Sequence, residues 1–171
     1  KSLVREVGST AERLMNVFWP GPMTLVLKKA DGIPDCVTAG LDTVGVRWPD
    51  HAAAQELIRL ARVPIAAPSA NLSGRPSPTD AQEVLADMAG AIAGVLDGGS
   101  TAVGVESTVI DCTGAVPVIL RPGGITLEEL EEEVGVVELD PALSGSKTAK
   151  PRAPGMKYRH YAPKAPLWVV E

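Results

Sequence analysis

Apolar and polar residues alternate along short blocks of this chain, and each such block predicts a strand. Residues 43–48 alternate as expected for a strand with one buried face. Arg47 then lies on the small, polar face together with Thr43 and Gly45. Further apolar blocks that predict strands cover residues 23–27, 65–67, 92–96, 107–112, 116–120 and 136–139. The last two blocks before residue 121 flank Thr113-Gly114, a pair typical of a β-hairpin turn.

Four segments have helical periodicity. One follows Pro49-Asp50, and the other three begin with a capping-box pattern, a Ser or Thr followed three residues later by Glu or Gln. These pairs are Ser9 with Glu12, Thr79 with Gln82, and Thr126 with Glu129. Since helices and strands alternate but a hairpin interrupts the order, we expect an α+β (α/β-like) fold with a twisted mixed β-sheet flanked by helices.

Composition narrows the class of protein. With 171 residues and 45% hydrophobic content, the chain is long enough for one domain with a sizeable core. A net charge of −5 argues against a general nucleic-acid binder. The longest uncharged apolar stretch, residues 88–96, is too short to cross a bilayer. Cys36 and Cys112 are isolated thiols, which favours a reducing compartment over a disulfide framework.

The composition changes after residue 140. Residues 141–166 contain five prolines and few apolar side chains, which is typical of a linker. Between Lys147 and Lys164 there are six basic residues and no acidic residue. We therefore predict a domain over residues 1–140, a basic interdomain linker over 141–166, and the first strand of another domain at 167–171.

Residues 67–79 form the most polar connection in the chain. They include Ser69, Asn71 and Thr79, together with the guanidinium of Arg75. Hydroxyl and backbone N–H groups near a helix start can bind phosphate, and an arginine adds positive charge. A Pro/Gly/Ser surface loop without a ligand has the same composition, so both interpretations remain open at this stage.

Three further polar residues stand at predicted strand ends beside Gly or Pro turns: Arg47, Ser107 and Arg121. Each alone is compatible with an ordinary surface position. Together with the polar loop they predict one site built from guanidinium, hydroxyl and amide groups, to which we assign neither a nucleophile nor a metal ligand. Such a site works by positioning and charge neutralisation, as in nucleotidyl transfer, with Mg²⁺ carried by the substrate phosphates.

Several segments, in order along the chain, also carry a family resemblance. They are residues 18–27 (FWPGPMTLVL), 37–47, 67–79, 97–99 (DGG), 104–109 (GVESTV) and 120–125 (LRPGGI). Residues 154–163 (PGMKYRHYAP) add a linker motif. The chain resembles the YrdC/Sua5 family, in particular threonylcarbamoyl-AMP synthases of the two-domain Sua5 type, whose YrdC/RibB-like fold agrees with the predicted sheet.

The resemblance implies a cytoplasmic enzyme that condenses L-threonine, bicarbonate and ATP to threonylcarbamoyl-AMP and pyrophosphate. The product would pass to the tRNA threonylcarbamoyl transferase machinery for t6A37 modification. The resemblance places Arg47, Ser69 and Ser107 on L-threonine. It places Thr43, Ser69, Asn71, Thr79, Arg121 and Tyr161 on ATP, with Tyr161 part of a linker that covers the site.

Compared with that family, the N-terminal part of the catalytic domain, including a Lys-x-Arg motif, and most of the C-terminal domain are missing. We therefore expect residues 1–171 alone to be weakly active or inactive. Two alternatives remain: a double-stranded RNA-binding module, and an inactive member of the family that keeps the fold.

Overall fold

The computed structural model describes residues 3–144, which form a mixed sheet with helices. The elements are α1 (Ser9–Phe18), β1 (Met23–Lys28), α2 (Asp35–Thr38), β2 (Thr43–Val46), α3 (Ala52–Ala61), α4 (Ala81–Met88), β3 (Thr108–Asp111), β4 (Val118–Arg121), α5 (Leu127–Val134), β5 (Glu138–Leu139) and a 3-10 helix (Pro141–Ser144). The predicted linker beyond residue 144 and the predicted strand at 167–171 lie outside the described residues.

The five strands form one sheet in the order β2-β1-β3-β4-β5. β1 pairs antiparallel with β2 and parallel with β3, and β3 pairs antiparallel with β4. β5 adds a parallel edge to β4. The predicted mixed sheet and the predicted hairpin between β3 and β4 are confirmed.

The main hydrophobic core lies between the sheet and two helices, α1 and α5, which pack against each other. Its fully buried side chains include Leu14, Met23, Leu25, Ile110 and Leu130. Arg13 of α1 adds an ion pair to Glu133 of α5 at 2.6 Å. We call this part of the molecule, residues 9–28, 43–47 and 107–139, the sheet layer.

A smaller apolar cluster, formed by Val26, Val109 and Leu120, lies outside the main core. In strand β1, Val26 alternates with Leu25 and Leu27, which belong to the main core, so this second cluster lies on the opposite face of the sheet. That second face carries the polar residues described below.

The helix starts agree only in part with the predicted capping boxes. Thr126 and Glu129 form the predicted box, with Glu129 N–H donating to Thr126 Oγ1 (3.3 Å) and Thr126 N–H donating to the Glu129 carboxylate (2.8 Å). Ser9 was predicted to cap α1, which is wrong, because α1 already includes Ser9 and Gly8 precedes it without a side-chain cap.

The cap of α4 also differs by one residue. Asp80, rather than Thr79, is the N-cap, and its carboxylate accepts a hydrogen bond from Glu83 N–H at 2.9 Å. The Glu83 carboxylate reaches back to Thr79 instead, accepting from its backbone N–H (2.6 Å) and its hydroxyl (3.1 Å). The predicted helix is therefore confirmed, but its first residue is wrong.

Two predicted strands are absent from residues 51–105, which we call the α3–α4 segment. Residues 65–67 and 92–96 lie in loops, and β3 pairs directly with β1 and β4 without them. No residue of the α3–α4 segment is buried, although it contains Leu60, Ile65 and Leu96. An apolar run becomes a strand only when another strand binds its backbone, and nothing within residues 3–144 does so here.

Candidate active site

Four polar side chains meet on the second face of the sheet, at one end of its central strands. Arg47 follows β2, Thr24 lies in β1, Ser107 precedes β3, and Arg121 ends β4. Arg47 Nε donates to Thr24 Oγ1 at 2.9 Å, and Thr24 Oγ1 lies 2.8 Å from Ser107 Oγ. Arg121 Nη2 donates to Ser107 Oγ at 3.1 Å. We call this connected set the arginine–hydroxyl network.

The network therefore brings together Arg47, Ser107 and Arg121, which the sequence had placed at separate strand ends. Thr24 was missed, because within an apolar strand it resembles an ordinary β-branched residue. One signal could have found it. Thr24 is the polar residue among residues 23–27, and alternation places it opposite the apolar side chains of Met23 and Leu25.

The turn before β1 positions the network. Residues 19–22 (WPGP) contain a cis peptide bond between Trp19 and Pro20, and Gly21 N–H donates to Trp48 O at 2.9 Å. Thr108 N–H donates to Pro22 O at 3.0 Å, which begins the parallel pairing of β1 with β3. The same turn therefore fixes the backbone next to Thr24, Arg47 and Ser107.

A one-residue register shift between β3 and β4 places Arg121 in the network. Ile110 pairs with Ile119, but the next residue, Val109, pairs with Arg121 instead of Leu120. Ile119 belongs to the main core, so regular alternation would direct Arg121 to that same side. The extra residue turns Arg121 to the opposite face, where its Nε and Nη2 also donate to Ser107 O (3.2 and 2.9 Å).

The turn after β4 packs against the segment that carries Ser107. A side chain at Gly123 would overlap the backbone of Glu106, Ser107 and Thr108, so only glycine fits there. Behind it, the buried Thr108 hydroxyl donates to Ile125 O (2.7 Å) and accepts from Ile125 N–H (2.9 Å). These contacts hold Ser107 at a fixed position.

The network carries two guanidinium groups close enough to repel each other. Partial desolvation of the guanidinium, followed by repulsion from Arg121, lowers the pKa of Arg47 from its usual range. Among residues 3–144, Arg47 forms no ion pair with a carboxylate. A small anion bound between Arg47 and Arg121 would relieve the repulsion and accept hydrogen bonds from the Nη groups of Arg47. The arrangement thus fits a carboxylate or a phosphate.

The polar loop contributes less directly. Asn71 Nδ2 donates within the loop, to Leu72 O (2.9 Å) and Arg75 O (3.1 Å), while its buried Oδ1 has no hydrogen-bond partner within the described chain. Ser69 is exposed. Arg75, which was expected to add charge for a phosphate, instead pairs with Asp87.

Loop and network are joined by a contact that sequence reasoning missed. Ser77 Oγ donates to the Glu106 carboxylate at 2.8 Å, and Glu106 directly precedes Ser107.

Two other predicted site residues, Thr79 and Thr43, lie apart from the network. Thr79 is engaged by Glu83, as described above. Thr43 shares a face with Arg47, but four residues of extended chain separate them by about 13 Å.

Thr43 lines a cavity of about 160 Å³ with Val26, Lys28, Asp42 and Asp111 among its walls. Tyr161, predicted to cover the site, lies outside the described residues.

Within residues 3–144, no cluster of three His, Cys, Asp or Glu side chains is arranged to hold a metal ion. The same residues contain no helix that is both long and apolar enough to span a membrane.

Two family models match the chain. The Sua5_yciO_yrdC model, described as telomere recombination, matches residues 1–123, and the model of the threonylcarbamoyl-AMP synthase C-terminal domain matches residues 125–171. The threonylcarbamoyl-AMP synthase of Pyrococcus abyssi is 54% identical over 169 residues, which are 99% of this chain and 50% of that protein. The Bacillus subtilis enzyme of that name is 56% identical, over 94% of this chain and 46% of its own length.

Solved structures agree with these relatives. The crystal structure of P. abyssi Sua5 complexed with L-threonine matches with a TM-score of 0.91 and 55% identity, over 95% of this chain and 48% of that one. E. coli YciO matches with a TM-score of 0.64 and 28% identity, over 72% and 61% of the two chains. The chain spans about half the length of the curated relatives it matches. Because the Sua5_yciO_yrdC model matches more than half of the chain, the chain belongs to the Sua5/YciO/YrdC family.

Proposed function

We propose that this protein is a nucleotidyltransferase that makes threonylcarbamoyl-AMP from L-threonine, bicarbonate and ATP, with release of pyrophosphate. The observation that carries the proposal is the arginine–hydroxyl network, which offers the Nη groups of Arg47 and one hydroxyl hydrogen to an anionic ligand, with the positive charge of Arg121 beside them. Relatives named threonylcarbamoyl-AMP synthase, at 54% and 56% identity, support the choice of reaction.

The proposed reaction has two steps. The amino group of L-threonine attacks the carbon of bicarbonate, and loss of water gives an N-linked carbamate. A carbamate oxygen then attacks the α-phosphorus of ATP, and the bond to the β-phosphate oxygen breaks, so that pyrophosphate leaves. Neither step needs a protein nucleophile. The protein's contribution is to hold the two anions in contact and to offset their charge.

The network suits the threonine side of this reaction. Arg47 and Ser107 would bind the threonine carboxylate, since a guanidinium and a hydroxyl both donate to carboxylate oxygens. The solved Sua5 structure with L-threonine supports this substrate for this chain. Ser69, at the start of the polar loop, would contact threonine and nucleotide alike.

Thr43, Asn71, Thr79, Arg121 and Tyr161 complete the proposed ATP side. The buried Oδ1 of Asn71 supports this role, because an unpaired acceptor there fits an N–H or O–H donor of the nucleotide. Arg121 contacts Ser107, so in this proposal it would lie at the border between the two substrates and would offset charge at the reacting phosphate.

Magnesium would arrive with the nucleotide. The network offers guanidinium and hydroxyl groups, and guanidinium groups do not bind cations, so it does not fit a resident Mg²⁺ ion. We derive no step through the metal. Its expected chemistry is to offset charge on the phosphates that it accompanies.

The remaining organisation is also proposed. Residues 1–140 would form the catalytic unit, since α5 and β5 pack into the same sheet layer as β1. Residues 141–166 would link it to a further domain that begins at 167–171. The product would pass in the cytoplasm to the machinery that completes t6A37 on tRNA.

The test compares two arginine variants in the full-length protein. Arg47→Ala removes a network guanidinium. Arg59→Ala is the matched control, because Arg59 is exposed and, among residues 3–144, pairs only with Glu56 in its own helix. We expect Arg47→Ala to raise the KM for L-threonine about 10–100-fold, the value of a lost charge-assisted hydrogen bond, and to change the KM for ATP much less. The readout is threonine- and bicarbonate-dependent pyrophosphate release, with the adenylate identified by mass spectrometry.

Two results would contradict the proposal. Pyrophosphate release that does not depend on threonine would exclude the reaction, and equal losses for Arg47→Ala and Arg59→Ala would exclude the site. Salt-sensitive binding of duplex RNA without threonine-dependent turnover would favour the RNA-binding alternative.

A further inference from the structure

We propose that Thr24 is a positioning residue that orients Arg47 and Ser107 toward the substrate carboxylate. The identity of that carboxylate as L-threonine rests on the proposed function, but the positioning role rests on geometry. Thr24 Oγ1 accepts from Arg47 Nε at 2.9 Å and lies 2.8 Å from Ser107 Oγ. It is the atom through which the two residues are joined.

The hydrogen bonds fix which atoms of Arg47 remain for a ligand. Because Nε is engaged by Thr24, the two Nη groups at the far side of the guanidinium are left to face a carboxylate. A guanidinium that binds a carboxylate through both Nη groups contacts both of its oxygens, which fixes its orientation as well as its charge. Thr24 thereby leaves the edge of the Arg47 guanidinium formed by its two Nη groups, rather than the edge that contains Nε, available to the carboxylate.

The hydrogen bonds of Thr24 and Ser107 likewise determine how many hydroxyl hydrogens remain for a ligand. Thr24 and Ser107 have one each, and one of the two is used in the bond between them. Arg47 and Arg121 donate to these oxygens and need no hydrogen from them. One hydroxyl hydrogen therefore remains for the ligand, whichever residue supplies it. The network thus presents N–H and O–H donors, which match a carboxylate better than an amide, whose NH₂ group also donates.

The conformation of Thr24 depends on the absence of a side chain at Gly45 on the neighbouring strand β2. Gly45 lies opposite Val26, two residues along β1 from Thr24, and a Cβ atom at Gly45 would lie 3.2 Å from Thr24 Cγ2. The Thr24 methyl group thus occupies space that a side chain at position 45 would need. Gly45 and Thr24 together hold the hydroxyl in its place between Arg47 and Ser107.

The test uses two variants of the full-length protein that differ by one group. Thr24→Val keeps the branched shape and removes the hydroxyl, whereas Thr24→Ser keeps the hydroxyl and removes the methyl. We expect Thr24→Val to raise the KM for L-threonine about 10-fold or more, without a matching change in the KM for ATP. Thr24→Ser should stay within about 3-fold of the unmodified protein, and L-threoninamide should not compete with threonine in either.

A second measurement reports the geometry without activity. The Arg47 Nε–H should give a slowly exchanging signal in a ¹H–¹⁵N spectrum, assigned by its loss in Arg47→Ala. We expect the signal to persist in Thr24→Ser and to shift or exchange rapidly in Thr24→Val. If Thr24→Val does not fold, the test rests on the spectra of the unmodified protein and Thr24→Ser. An Arg47 Nε–H that exchanges rapidly in both would overturn the positioning role of Thr24.

The outcomes separate this inference from the proposed function. A protected Nε–H that is lost in Thr24→Val supports the positioning role even if the protein forms no threonylcarbamoyl-AMP, in which case the proposed function fails alone. Normal turnover with the same threonine KM in Thr24→Val and Thr24→Ser overturns the positioning role while the proposed function stands.

Discussion

The sheet layer and the α3–α4 segment are held together in different ways. In the sheet layer, aliphatic side chains such as Leu25 and Ile110 are fully buried between β-strands and helices. In the α3–α4 segment no side chain is buried, and polar contacts give the chain its course. These contacts include His51 with Gly98 O (3.2 Å), Ser77 with Glu106 (2.8 Å), Thr101 N–H with Thr79 O (2.9 Å), and the Arg75–Asp87 ion pair.

The difference matters because burial and surface polar contacts differ in strength. A fully buried aliphatic side chain contributes about 1.5–3 kcal/mol, while an exposed ion pair contributes about 0–1 kcal/mol. The arginine–hydroxyl network is attached to the first kind of structure and the polar loop to the second. We therefore expect the arginine–hydroxyl network to be preformed and the polar loop to open and close locally.

The largest effect should come from truncating the main core. Leu25→Ala, at a fully buried position, should lower the free energy of unfolding of the 171-residue chain by about 2–5 kcal/mol. Leu60→Ala is the matched control in the α3–α4 segment, where Leu60 is 62% exposed, and it should change stability by less than about 0.5 kcal/mol. Urea unfolding measures both, and similar losses would show that the two regions share one core.

A smaller effect should follow from removing one buried hydroxyl. Thr108→Val leaves both the N–H and the C=O of Ile125 without their partner and should cost about 1–3 kcal/mol. Thr101→Val replaces an exposed threonine of the α3–α4 segment and should be nearly neutral. Thermal unfolding of the two variants compares them directly, and a neutral Thr108→Val would mean that water satisfies Ile125.

The smallest effect distinguishes two helix caps. Thr126→Ala and Asp80→Ala each remove an N-cap oxygen, which typically costs about 1 kcal/mol. For Thr126 the loss should appear in global unfolding, because α5 is part of the sheet layer. For Asp80 it should appear as faster amide hydrogen exchange in α4 with little change in global stability. Ser9→Ala should have neither effect, since Ser9 caps nothing. A loss of global stability in Asp80→Ala would contradict the proposed difference between the sheet layer and the α3–α4 segment.

Sequence patterns predicted the sheet layer well. The hairpin of β3 and β4, the Thr126–Glu129 box and the shared face of Arg47 and Thr43 all follow from local rules: turn chemistry, side-chain capping and alternation. Local rules suffice where the neighbouring strands exist to complete the pattern.

These local rules failed where contacts with distant parts of the chain determine the structure. Residues 65–67 and 92–96 have strand-like composition, but a short apolar run cannot specify whether another strand will pair with it. Thr24 was missed because its role appears only when β1, β2 and β3 come together. The charge of Arg75 was assigned to a ligand because its partner, Asp87, is twelve residues away and belongs to a helix.

The register shift between β3 and β4 makes the site sensitive to strand pairing as well as to residue identity. Pairing the same residues of β4 with β3 in one unbroken register would restore strict alternation after Ile119 and direct the Arg121 side chain into the aliphatic interior, although every functional residue would still be present in the sequence. Among relatives, an arginine aligned to Arg121 is therefore equivalent only if the pairing beside it turns it to the same face of the sheet.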